Sequence, residues 1–119
     1  MILFVDDDAG SRQAFAKILR LQGHEVMEAA NAPEALKMLD SFPLELVITD
    51  FVMPNVNGFQ LTAHIRQKWP DMPILLMSGY LSPEIGKVIS GWSGAEFIPK
   101  PIDVPAFLAA VDRLACRSN

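Results

Sequence analysis

The chain has 119 residues, half of them hydrophobic, and a formal net charge of −4. That length suits one domain and is enough to bury roughly two-thirds of the unfolded surface, and the apolar content excludes intrinsic disorder. An acidic balance with no Lys/Arg run offers nothing to grip a phosphate backbone, so direct contact with nucleic acid is not expected.

In chain order, Ile2-Leu-Phe-Val5 is a short apolar run suited to a strand buried on both faces. It turns acidic at once at Asp6, which a signal peptide does not do. Ser11 to Leu21 reads as a helix with Phe15, Ile18 and Leu19 on one stripe, closed by Gln22-Gly23. Glu25-Val-Met-Glu28 is weakly apolar, as an edge strand is. Asn31 is an N-cap with Pro33 in the first turn and Ala35, Leu36 and Leu39 behind it. Leu46-Val-Ile-Thr49 is the clearest strand and runs into Asp50.

Gly58 to Trp69 gives a third helix with Leu61, Thr62, Ile65 and Trp69 along one face, bracketed by Pro70 and Pro73. Ile74-Leu-Leu-Met77 is the fourth strand, ending at Ser78-Gly79. Ser82-Pro83-Glu84 starts a fourth helix, which Gly86 and Gly91 weaken by ~1 kcal/mol each relative to Ala. Glu96-Phe-Ile98 is a short fifth strand. Asp103 caps a last helix in which Val104, Phe107, Leu108, Val111, Leu114 and Ala115 keep the helical period. The single cysteine, Cys116, excludes an internal disulfide and suits a reducing, cytoplasmic setting. With no histidine near it in sequence, it reads as a helix-face residue. No apolar stretch approaches the roughly 20 residues of a membrane span. One soluble domain over residues 1–119 is expected, making no membrane contact.

Strands alternating with helices across short loops predict an α/β fold, a (βα)5 parallel sheet with helices on both faces. Five strands favour the flavodoxin-like doubly wound order 2-1-3-4-5, whose ligand crevice lies at the carboxyl ends of strands 1 and 3. Asp6-Asp7-Asp8, Asp50, Ser78 and Pro99-Lys100-Pro101 all fall at such ends. Converging carboxylates repel and raise one another's pKa unless a cation binds, and an oxygen-rich site of this kind suits Mg²⁺. An isolated Asp triplet is more often a solvated loop or a helix cap. Two neighbouring strands that each end in Asp favour the metal site. Lys100 supplies a compact positive charge, Ser78 a hydroxyl, and Gly79 room for a phosphate. A carboxylate nucleophile beside a divalent cation, a lysine and a hydroxyl makes a phosphoryl-acceptor site.

These residues resemble the response regulator receiver domain of two-component signalling, from Ile2 to about Leu114. The segments that carry the resemblance are Ile2-Leu-Phe-Val-Asp-Asp-Asp8, Leu46-Val-Ile-Thr-Asp-Phe-Val-Met-Pro54 with Gly58, Met77-Ser-Gly79, and Phe97-Ile-Pro-Lys-Pro101. The resemblance implies that Asp50 accepts the phosphoryl group and Asp7 ligates Mg²⁺ directly. Asp6 would act partly through water, and Val52 would offer its backbone carbonyl. Ser78 would turn its hydroxyl to the phosphoryl group, and Lys100 would pair with it, with a cis bond before Pro101. Phe97 aligns with a switch aromatic that is often Tyr, so its positions here would differ only in packing; the alternative is a plain core residue of the fifth strand.

Asn57 stands where the family often has Asp, and it should still cap the third helix. Val52 and Tyr80 flank the path of an attacking water and imply slow self-dephosphorylation. The implied partner is a histidine kinase or histidine phosphotransfer domain, and the implied output is a surface of the fourth helix, fifth strand and fifth helix. A homodimer through that surface is a further expectation. The wording of Met-Ser-Gly-Tyr and Ile-Pro-Lys-Pro is similar to receivers of hybrid histidine kinases, so either a free-standing regulator or an excised receiver is expected. Trp92 reads as packed under its loop, with a partner surface as the alternative. Asp8, His24 and His64 receive no chemical role.

Two other functions meet obstacles. A dehalogenase-like phosphohydrolase needs a second acid/base Asp where Val52 stands, and usually a cap domain. A flavodoxin-like cofactor binder needs a phosphate cradle after strand 1, where Asp6-Asp7-Asp8 would repel phosphate.

Overall fold

The computed structural model describes residues 1–50, 58–79 and 83–116. Ten elements alternate along the chain: β1 (Ile2–Val5), α1 (Ala9–Leu21), β2 (Val26–Ala29), α2 (Ala32–Ser41), β3 (Leu46–Asp50), α3 (Gly58–Lys68), β4 (Ile74–Ser78), α4 (Pro83–Ser90), β5 (Ala95–Pro99) and α5 (Val104–Cys116). The five strands form one parallel sheet in the order β2-β1-β3-β4-β5, as the sequence predicts.

Alternation along each strand sends side chains to opposite faces, and both faces are covered. Leu3, Val5, Val47 and Leu76 pack on one side with Ala35 and Leu39 of α2, Leu61 and Ile65 of α3 and Ile89 of α4. Ile2, Phe4, Leu46, Ile48, Leu75 and Met77 pack on the other with Leu19 of α1 and with Phe107, Val111 and Leu114 of α5. Phe15 ties α1 into that second layer, its ring 5.9 Å from Phe4 and 5.1 Å from Phe107 between centroids. Such ring pairs add about 1 kcal/mol beyond the area they bury. The three inner strands are buried along their whole length, which is why they read as unbroken apolar runs. β2 at the edge is buried only at Ala29.

Several boundaries differ from the sequence reading. α1 begins at Ala9, two residues early, because Asp8 is its N-cap and accepts a hydrogen bond from the Ser11 N–H at 3.1 Å. β2 lies one residue further on, ending at Ala29. Gly91 falls past the end of α4, so the expected cost of a helical glycine applies there to Gly86 alone of the two. The other caps are as predicted: Asn31 accepts from the Glu34 N–H at 2.9 Å and Asp103 from the Ala106 N–H at 3.1 Å. Gly23 holds φ at 93° just beyond α1, the left-handed turn for which glycine is suited. Val52, Asn57, Tyr80 and Ser82 lie outside the described residues. Among the described residues, no helix is long and apolar enough to cross a membrane.

Candidate functional site

The register fixes what meets at the carboxyl edge. Val5 pairs with Thr49, so the next residues along, Asp6 and Asp50, leave neighbouring strands side by side. Asp50 pairs with Met77, and Ser78 pairs with Pro99, which brings the end of β4 and the residue after β5 to the same edge. The Lys100 N–H donates to the Ser78 carbonyl at 2.8 Å, and the Lys100–Pro101 peptide is cis. From there the Lys100 Nζ reaches back to donate to Asp50 Oδ2 at 2.8 Å.

Among the described residues, Asp6, Asp7 and Asp50 form one cluster in which one carboxylate oxygen from each lies within 4.8 Å of the others. Asp6 and Asp50 are buried, with 3% and 7% of their surface exposed, while Asp7 opens to solvent. Ser78 is buried beside them. The carboxyl of Asp6 is pushed up from its ordinary pKa, first by burial. The Asp8 N–H donating to its Oδ1 at 3.0 Å opposes that, the Asp50 charge adds to it, Lys100 opposes it and Asp7 adds again. Asp8 is shifted the other way by hydrogen bonds from the side chain and backbone of Ser11. The acidic triplet therefore divides its labour: Asp8 caps a helix, and Asp6 and Asp7 enter the cluster.

These donors fit a small hard cation. Opposite oxygens on a Mg²⁺ octahedron stand about 4 Å apart, so the cluster is close to the span of one ion and slightly wider. Three carboxylates faced by one described lysine also leave a surplus of negative charge for a cation to meet.

Phe97 is half-buried against the apolar layer under α3 and α4, opposite Leu76 in the ladder. Trp92 packs half-buried against the same layer, as its sequence context predicts. His64 is exposed on α3. Sequence reasoning missed a brace behind the acidic loop. The Arg12 Nη1 donates to the Asp6 carbonyl oxygen at 2.8 Å, and its Nε lies 3.4 Å from Glu28 Oε1 on β2, which also pairs with Arg20. The available signals were a lone glutamate in an otherwise apolar strand and an arginine in the first turn of α1.

A doubly wound α/β domain with an acidic cluster and a paired lysine at the β1/β3 crossover is the class that fold and site define. The chain belongs to the response regulator receiver domain family, which it matches over residues 2–112. It is 35% identical to the response regulator protein FleR of Pseudomonas aeruginosa over 96% of its own length and 24% of that protein's. It is also 35% identical to the CAI-1 autoinducer sensor kinase/phosphatase CqsS of Vibrio cholerae, over 92% of this chain and 16% of that one. The chain thus spans a quarter or less of these relatives. Among solved structures, the chemotaxis protein CheY4 of Vibrio cholerae superposes with a TM-score of 0.87 at 28% identity, covering 95% of this chain and 96% of that one.

Proposed function

We propose that this chain is a phosphoacceptor switch in which Asp50 takes a phosphoryl group from a phosphohistidine on a histidine kinase or a histidine phosphotransfer domain. The observation that carries the reading is the convergence of Asp6, Asp7 and Asp50 within 4.8 Å, with Lys100 held 2.8 Å from Asp50. A carboxylate oxygen of Asp50 forms the new bond to phosphorus as the P–N bond to imidazole breaks, the electron pair staying on the imidazole nitrogen. Asp6, Asp7, Asp50 and the Val52 carbonyl would hold Mg²⁺, which when bound neutralises charge on the phosphoryl oxygens. Lys100 offers its ammonium to the same oxygens. Ser78, buried at the end of β4, would supply a hydroxyl to donate to them.

This domain works as a switch and not as an enzyme on a separate substrate, residues 1–119 forming one receiver unit in a cytoplasmic setting. Added negative charge at Asp50 redistributes the surface of α4, β5 and α5, through which a homodimer or another partner would read the state. The test is intact mass after incubation with acetyl phosphate and Mg²⁺. The wild type gains one phosphoryl group and Asp50→Asn gains none. A folded wild type that gains nothing overturns the reading in favour of a domain that works by binding alone.

A further inference from the structure

We propose that Arg12, steadied by Glu28, is a positioning residue that sets the angle between the Asp6 and Asp7 carboxylates and so governs cation affinity at the cluster. The inference rests on the phosphoacceptor reading and deepens it.

The argument starts from the β1–β2 ladder. In that parallel pair Ile2 faces Val26, Leu3 faces Met27 and Val5 faces Ala29. The N–H groups of Ile2 and Asp6 donate to the carbonyls of Glu25 and Ala29, at 2.8 and 3.1 Å. By the same repeat, the Asp6 carbonyl should receive the N–H of Asn31. Asn31 is the N-cap of α2, where the chain is leaving the sheet. The donor at the Asp6 carbonyl is instead the Arg12 guanidinium, at 2.8 Å. That carbonyl belongs to the peptide plane joining Asp6 to Asp7. The Asp6 N–H, in the preceding plane, is tied to β2, the Asp6–Asp7 plane is tied to Arg12, and the Asp7–Asp8 plane is tied through the Asp8 N–H to Asp6 Oδ1, so the planes flanking both Cα atoms are held, and with them the directions in which the two carboxylates leave the backbone.

Arg12 is itself held. Its side chain is 16% exposed, and its Nε faces Glu28 Oε1 at 3.4 Å. Glu28 takes Arg20 Nη1 on its other oxygen at 3.2 Å. The planar fork of arginine suits this double duty, holding a carbonyl and a carboxylate at once, in a way that lysine's point charge does not.

The charge of Arg12 and its geometry make opposite demands on a cation. Through Coulomb interaction alone, removing a positive charge near the cluster would tighten Mg²⁺ binding. Through positioning, removing it would weaken binding, and supporting partners of metal ligands are typically worth about 10- to 100-fold in affinity. The sign of the change therefore separates the two roles.

The experiment is calorimetric titration of Mg²⁺ into the wild type, Arg12→Gln, Glu28→Gln, the double variant and Arg12→Lys. Circular dichroism establishes that each is folded, and intact mass follows phosphorylation by acetyl phosphate at saturating Mg²⁺. Arg12→Gln is expected to raise the Mg²⁺ Kd about 10-fold, with Glu28→Gln smaller, Arg12→Lys intermediate and the double variant no worse than Arg12→Gln. Intact mass at saturating Mg²⁺ establishes that each variant still takes up one phosphoryl group. An Arg12→Gln variant with unchanged or tighter binding overturns the inference and leaves the phosphoacceptor reading standing. If that variant is too unstable to titrate, Arg12→Lys decides, because it keeps the charge and loses the fork: a raised Kd reports positioning, and an unchanged Kd overturns the inference. A folded wild type that binds no Mg²⁺ overturns both.

Discussion

Replacing Asp6 by Asn tests the electrostatics of the site without disturbing its packing. Asparagine has the same shape and keeps an oxygen to accept the Asp8 N–H, now bonded at 3.0 Å, while the charge disappears. One carboxylate oxygen of Asp6 lies no more than 4.8 Å from one of Asp50. At an effective dielectric of about 20, two unit charges at that separation repel by roughly 3 kcal/mol. Lys100, bonded to Asp50, opposes part of that, while the burial of the Asp6 charge and the Asp7 charge add to it. Removing the charge should therefore relieve on the order of 1 kcal/mol, worth about 4 °C in Tm for a domain of this length.

The Asp6 pKa is raised in the folded state, so ionising it costs stability at neutral pH. The cost is full above the raised pKa and vanishes as pH falls below the ordinary carboxylate range, where folded and unfolded chains are both protonated. Thermal unfolding without divalent cations should therefore show Asp6→Asn more stable than the wild type at pH 7, with the two converging in acid. Added Mg²⁺ should narrow the gap at pH 7, since a ligand at 100 times its Kd stabilises the wild type by about 2.7 kcal/mol and a weaker binder by less. A variant no more stable than the wild type at pH 7 without metal would refute the reasoning.

Two further outcomes follow from other parts of the molecule. Phe107→Ala removes a fully buried ring that touches Phe15, and should cost about 3–5 kcal/mol in urea unfolding. A loss under 1 kcal/mol would mean that the α1–α5 layer collapses into the space. The double variant Val52→Asn, Tyr80→Glu should shorten the phosphoryl half-life several-fold, measured by intact mass after acetyl phosphate is removed, because polar groups there can orient an attacking water. A half-life close to that of the wild type would count against slow self-dephosphorylation set by these residues.

The inner sheet was legible because β1, β3 and β4 are buried on both faces, and only apolar runs satisfy that environment. β2 was displaced by one residue because an edge strand mixes Glu28 with Met27 and Ala29, and that mixture marks no boundary. The start of α1 was misplaced for a different reason. Asp8 was read with Asp6 and Asp7 as part of one acidic run, while its side chain caps the helix. The cluster itself could be read because parallel strands bring their carboxyl ends to one edge, so that Asp6, Asp50 and Lys100 converge however the helices pack. The Arg12–Glu28 brace could not, since it depends on the β1–β2 register and on which way the first turn of α1 faces, and neither is written in the spacing of charges.

The same geometry explains how a charge added at Asp50 would reach the far edge of the sheet. Lys100 is the described cation bonded to Asp50, and its own N–H is bonded to the Ser78 carbonyl, so its ammonium and its backbone belong to different neighbours. A phosphoryl group that draws the ammonium to new oxygens pulls on the segment just after β5, and a turn of the Ser78 hydroxyl pulls on the end of β4. Between them lies the β4–β5 ladder, in which Leu76 faces Phe97. A tyrosine there could exchange one hydrogen bond for another. Phe97 has only its packing against the apolar layer to exchange, so a second position of its ring would differ from this one by contact area and by no polar anchor. On the proposed phosphoacceptor reading, the energy gap would therefore be set chiefly by Lys100 and Ser78, with the aromatic following their movement.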